Sequence, residues 1–122
     1  MQYSLELNPR PFEAIQKGIK KIECRVPTDH NKDISFDKLK KGDLIRFTNN
    51  ITKEKMNVRV LGIRHYSSFR DLLESEGTEG VLSSGGNVEE GIKSFENFSG
   101  YKEGVKKQGV YAIEIKRVDA SK

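Results

Sequence analysis

Between Gly18 and Val26 the chain reads GIKKIECRV, which places Lys20, Lys21, Glu23 and Arg25 around the single cysteine, Cys24. Cationic nitrogens beside a carboxylate suit recognition of a nucleotide. Lys20 and Arg25 can donate to phosphate oxygens or to acceptor edges of a base, and Glu23 can accept from an exocyclic amine or orient the lysine. Clustered opposite charges around a concave site are a functional signature, although a purely structural ion pair has the same look. Tyr66 offers a ring for stacking or for core packing, and Arg46, Arg59 and Arg64 either extend a basic surface or stand as solvated strand residues. One cysteine excludes an internal disulfide and a cysteine-based zinc cage, and His30 and His65 lack metal-ligand spacing. No metal and no cofactor are expected.

The elements that must position these residues follow from hydrophobic spacing. Tyr3, Leu5 and Leu7 alternate with Ser4 and Glu6 as in a half-buried strand. Asn8 then offers a helix cap, Pro9 suits the first helical position, Phe12, Ile15 and Ile19 follow at helical spacing, and Gly18 reads as the stop. A second strand over 21–26 puts Ile22, Cys24 and Val26 on one face and Lys21, Glu23 and Arg25 on the other, a face that on spacing alone reads as solvated, with Glu23 and Arg25 cross-linked. Lys20 has the parity of the apolar face. Either the strand begins after it or a bulge re-aims it.

Further along, FDKLKKGD reads as a short helical turn ending at Gly42. LIRFTN and MNVRVLGIRHY read as a hairpin, and Ser67 or Ser68 caps a brief helix through Phe69, Leu72 and Leu73. VEEGIKSFENF gives another helix, the Gly/Ser-rich TEGVLSSGGN before it reads as a mobile connection, and GVYAIEIKRV reads as the last strand. The spacing predicts that Leu5, Phe12, Ile15, Ile22, Cys24, Ile45, Phe47, Val58, Val60 and Ala112 face one core. Few helices alternate one-for-one with strands, which favours a small, closed or nearly closed barrel over a doubly wound sheet.

The 122-residue length predicts a single domain, residues 1–118, with a frayed tail at 119–122. A net charge of +4 fits a nucleic-acid or nucleotide partner without requiring one. No apolar run reaches membrane-spanning length, and MQYSLELNPR lacks the basic-then-apolar order of a signal peptide. A cytoplasmic protein without a membrane partner is expected.

The pattern Gly-x-Lys-x-x-Glu-x-Arg, here Gly18, Lys20, Glu23 and Arg25, resembles the signature of the ASCH (activating signal cointegrator homology) domain. That family is a branch of the PUA-like fold. The preceding PFEAIQKG, the KKGDLIRF element, YSSFRDLLESEG and the closing QGVYAIEI are similar to the family's elements in the same order. The resemblance implies an α+β fold, a PUA-like small β-barrel of about five to six strands with two to four short helices. It also implies a cleft beside the signature strand for RNA or a modified nucleoside. The expected ligand contacts are Lys20, Lys21, Glu23, Arg25 and Tyr66. A catalytic branch of the family removes the acetyl group of N4-acetylcytidine with a lysine, a threonine and a glutamate. By that resemblance the lysine falls on Lys20 and the threonine on Glu23, a carboxylate that cannot replace a hydroxyl nucleophile but could serve as a base for water. The remaining glutamate would be Glu74, Glu76 or Glu79. Binding without turnover is the leading expectation, and hydrolysis of an N4-acylated cytidine the alternative.

Overall fold

The computed structural model describes residues 2–28, 35–83 and 85–118. His30 lies outside them. The elements run β1 (Gln2–Leu7), α1 (Pro9–Gln16), β2 (Ile22–Arg25), a 3-10 turn (Phe36–Lys38), β3 (Leu44–Asn49), β4 (Lys55–Tyr66), α2 (Phe69–Glu76), α3 (Val88–Glu96), α4 (Tyr101–Gln108) and β5 (Val110–Arg117). Pro9 opens α1, and the chain leaves that helix through Gly18 at φ +80°, a conformation that costs a glycine little. Asn8 stands at the cap position, but its Oδ1 accepts from Asn50 Nδ2 at 2.7 Å instead of from the helix backbone. Ser68 caps α2 by accepting from the Asp71 N–H, and Asn87 with Glu90 forms a reciprocal capping box on α3.

The five strands form one curled sheet, a half-barrel, in the order β1-β3-β4-β5-β2. β1 pairs with β3 in parallel, while β3 with β4, β4 with β5 and β5 with β2 are antiparallel. β1 and β2, joined only by α1, are therefore the two edges. The curl brings them near each other. Arg25 Nη2 on β2 donates to Glu6 O on β1 at 3.1 Å, a side-chain link across a seam that no strand pairing closes.

The expected core residues are all buried, but around two clusters rather than one. Leu5, Phe12, Ile15, Ile45, Phe47, Val58 and Val60 fill the half-barrel with Ile113 and Ile115. Ile22, Cys24 and Ala112 belong to a second cluster with Val110, Phe69, Leu72, Val81 and Phe95, where helices cover the opposite face of β2 and β5. β5 feeds both, odd positions to one and even positions to the other, because a strand buried on both faces alternates between them. Ile19, expected on the apolar side of α1, lies beyond its end and is exposed. The TEGVLSSGGN connection, expected to be mobile, packs Val81 and Leu82 into the second cluster. Its glycines do not leave it undocked: Gly80 O accepts from the Lys21 and Ile22 N–H groups.

Candidate functional site

Lys20 lies before β2, so no bulge is needed to aim it, and it is buried all the same. Its ammonium donates to Ile22 O at 2.7 Å and to Val81 O at 2.5 Å, and stands 3.6 Å from Glu23 Oε1. The other Glu23 oxygen accepts from Arg25 Nε at 2.8 Å. The face carrying Glu23 and Arg25 is thus not a wet strand face. Glu23 is paired in register with Ile113 and is only 6% exposed. Two cations flank one carboxylate, so the triad carries a net positive charge in a poorly solvated place.

The triad borders a cleft of about 530 Å³ on the seam between the two edge strands. On one side stand the end of β1 and the start of α1, from Glu6 to Pro11; on the other stand Lys20, Glu23, Cys24 and Arg25. Val81 to Ser83 and the aromatic residues Phe95, Phe98 and Tyr101 complete the wall. The Phe98 and Tyr101 rings meet at 5.3 Å and 50°, and Tyr101 lies nearly parallel to Phe69 at 6.5 Å. Burial raises the Tyr101 hydroxyl above the usual phenol value, opposed by the positive charge of Arg25. Burial likewise pushes the Cys24 thiol up to about 12, against the pull of Lys20, so it stays protonated and is no nucleophile. Asn50 also borders the cleft, and its Oδ1 is buried with no hydrogen-bond partner.

Of the residues that the sequence suggests, Lys20, Glu23 and Arg25 converge on this cleft, and Lys21 and Tyr66 do not border it. Lys21 is exposed and lines a separate groove at the C-terminal end of α1. Tyr66 donates its hydroxyl to Glu76 at 2.6 Å, inside a cluster in which Arg64 grips Glu76 through two nitrogens and Glu114 at 3.1 Å. Glu74 is exposed and stands 3.7 Å from Arg70, Glu79 is exposed, and none of Glu74, Glu76 and Glu79 lines the cleft. Among the described residues no group of three His, Cys, Asp or Glu could hold a metal ion, and no helix is long and apolar enough to cross a membrane.

Asn50, Phe98 and Tyr101 escape the sequence reading. α4 carries Gly104 in its interior, which weakens a helical signal by about 1 kcal/mol, and is bounded by Gly100 and Gly109, which read as loop residues. The spacing of Phe98, Tyr101 and Val105 is the trace it left. Gly104 itself lets the helix approach, since a Cβ there would stand 2.9 Å from Pro27 O.

A curled mixed sheet with short helices and a charged cleft along its open seam defines a PUA-like domain. A model of the ASCH domain matches residues 5–119, and the chain belongs to that family, whose PUA-like fold is generally linked to RNA binding. Among solved structures, a hypothetical protein known from a crystal structure matches with a TM-score of 0.80 and 38% identity, over 97% of this chain and 100% of the other. The solution structure of a protein from Pyrococcus furiosus matches with a TM-score of 0.73 and 38% identity, over 98% of this chain and 100% of that one. The ASCH domain from Lactobacillus crispatus shares the fold at a TM-score of 0.58 and 14% identity, over 95% of this chain and 79% of that one. No curated protein sequence matches the chain.

Proposed function

We propose that the protein binds a base of RNA, or the corresponding free nucleoside, in the seam cleft and does not turn it over. The observation that carries this reading is the division of labour within the triad. Lys20 donates to two protein carbonyls and pairs with Glu23 by charge at 3.6 Å, while Arg25 uses one N–H on Glu23 and one on Glu6 O, leaving about three of its five donors for a ligand. Arg25 is then the donor offered to a base carbonyl or a phosphate. Asn50 Oδ1, a buried acceptor without a partner, complements an exocyclic amine. A pyrimidine such as cytosine presents both groups, and Phe98 with Tyr101 supplies an aromatic wall against which a ring can stack, at about 1–3 kcal/mol per base.

Three geometric facts weigh against hydrolysis of an N4-acylated cytidine. The ammonium of Lys20 is already spoken for, Glu23 occupies the place of the missing hydroxyl nucleophile with both oxygens facing cations, and Glu74, Glu76 and Glu79 lie outside the cleft. Titration calorimetry with cytidine and with single-stranded RNA tests the reading. Both ligands should bind, Arg25→Ala should weaken both by at least tenfold, and N4-acetylcytidine should release no acetate. Acetate release well above that of a Lys20→Ala control would overturn it in favour of catalysis, and unaltered affinities in Arg25→Ala would remove the base from this cleft.

A further inference from the structure

The sheet carries a charge arrangement that its own fold does not balance. Arg59 on β4 and Lys116 on β5 stand directly opposite each other in antiparallel register, both exposed, on the side of the sheet away from the half-barrel core. Like charges in that position repel and destabilise a strand pair. No ion pair with either residue occurs among the described residues. Glu114, the acid on the same face of β5, is taken by Arg64 at 3.1 Å. Beside Lys116 runs a groove of about 530 Å³ between β5 and the C-terminal end of α1, with Lys17 and Lys21 on its rim and Ile15, Leu61 and Ile115 among its lining. Neither lysine ammonium has a partner among the described residues. Lys17, the C-cap residue of α1, also offsets the partial negative charge of that helix end.

The groove and the seam cleft are neighbours. Lys20 borders both, and α1 runs from Pro9 at the cleft to Gln16 at the groove, eight residues or ~12 Å. We infer that Lys17, Lys21, Arg59 and Lys116 form a track for the phosphate backbone of a single-stranded RNA whose base sits in the cleft. The inference deepens the proposed function and rests on it, by making the ligand a strand rather than a free nucleoside. A strand can enter the groove between α1 and β5 and follow it past Lys20. An anionic membrane, the other polyanion that would answer such charge, is too flat to do so. Repulsion between Arg59 and Lys116 is relieved when phosphates lie between them, which turns a cost of the free protein into a contribution to binding.

The test is the salt dependence of oligocytidylate binding by the unmodified protein and by the double variant Arg59→Ala/Lys116→Ala. Each phosphate contact to a single strand contributes about 0.7 to the slope of log K against log salt, so the double variant should lose about 1.4. Between 50 and 200 mM salt its affinity should therefore fall about sevenfold less than that of the unmodified protein. Because the substitutions remove a repulsion, the variant should melt no lower than the unmodified protein, which separates a binding defect from a folding defect. An unchanged slope overturns the track. So does binding to phosphatidylserine vesicles that depends on these two residues while the oligocytidylate slope stays fixed, and it would assign the surface to a membrane. Failure of the cleft reading shows separately, as no binding of cytidine by the unmodified protein.

Discussion

Replacing Glu23 by glutamine removes one charge and almost no volume, and the structure sets the size of the effect. The carboxylate lies 3.6 Å from Lys20 Nζ and 2.8 Å from Arg25 Nε, and the side chains of Lys20, Glu23 and Arg25 are 6%, 8% and 13% exposed. Gross attractions of about 5 and 6 kcal/mol follow at an effective dielectric constant of about 20. Most of each is offset by the desolvation the ions already bear, so these are not net energies. What the substitution adds is two buried cations with no counter-charge, a loss of about 3–5 kcal/mol in comparable buried pairs. Glutamine still offers a carbonyl to Arg25, and Lys20 keeps its two backbone acceptors, which places the expected loss near 3 kcal/mol. With about 2.1 cal/mol/K of unfolding entropy per residue over 122 residues, Tm should drop by about 12 °C. Circular dichroism melts and urea titrations measure both quantities. Adding Lys20→Met to Glu23→Gln should cost less than the sum of the two single effects, because one of the stranded cations is removed. A Glu23→Gln protein that melts within about 3 °C of the unmodified one would refute the reasoning, since the triad would then be as well solvated as a surface ion pair.

Acid sensitivity should trace to the other charge cluster. The Arg64 guanidinium holds the Glu76 carboxyl below its ordinary value of 4.5, with burial opposing and the Tyr66 hydroxyl assisting. A depressed native value gives stability that is complete above the unfolded value and is lost as pH falls through the native one. Thermal melts should therefore decline below about pH 4.5, and Arg64→Ala should flatten that decline; an unaltered pH profile in the variant would remove the cluster from the account. Cys24, 6% exposed and with its thiol raised to about 12, should resist iodoacetamide at pH 8 and react once urea unfolds the chain. Stoichiometric labelling of the folded protein would show that the cleft opens deeply enough to solvate the thiol.

Local rules carried much of the fold. The alternation in YSLEL, LIRFTN and GVYAIEI yields β1, β3 and β5 almost to the residue, and Pro9 with Gly18 brackets α1 and the turn beyond it. Those features are legible because a strand or helix advertises its buried face at a fixed period. The same periodicity misleads over the core. Ile22, Cys24 and Ala112 carry the apolar phase that Leu5 and Phe47 carry, yet they pack on the other face of the sheet. Alternation states that a residue is buried, without stating against what. α4 was illegible because glycine at 100, 104 and 109 looks like a loop.

The sequence by itself determined the elements and the charged strand segment around Cys24, because both depend on neighbours within a few positions. Only the tertiary structure decided that this segment borders a cleft. The curl of the sheet sets the free edge of β2 opposite the free edge of β1, which brings Arg25 to Glu6 O and opens the seam cleft. It also carries Val81 O, 61 positions away, onto the Lys20 ammonium, and it puts Tyr101 in the wall while withholding Tyr66. Such placements arise from closing long loops around two cores. That is a free-energy balance over the whole chain, which no local pattern records.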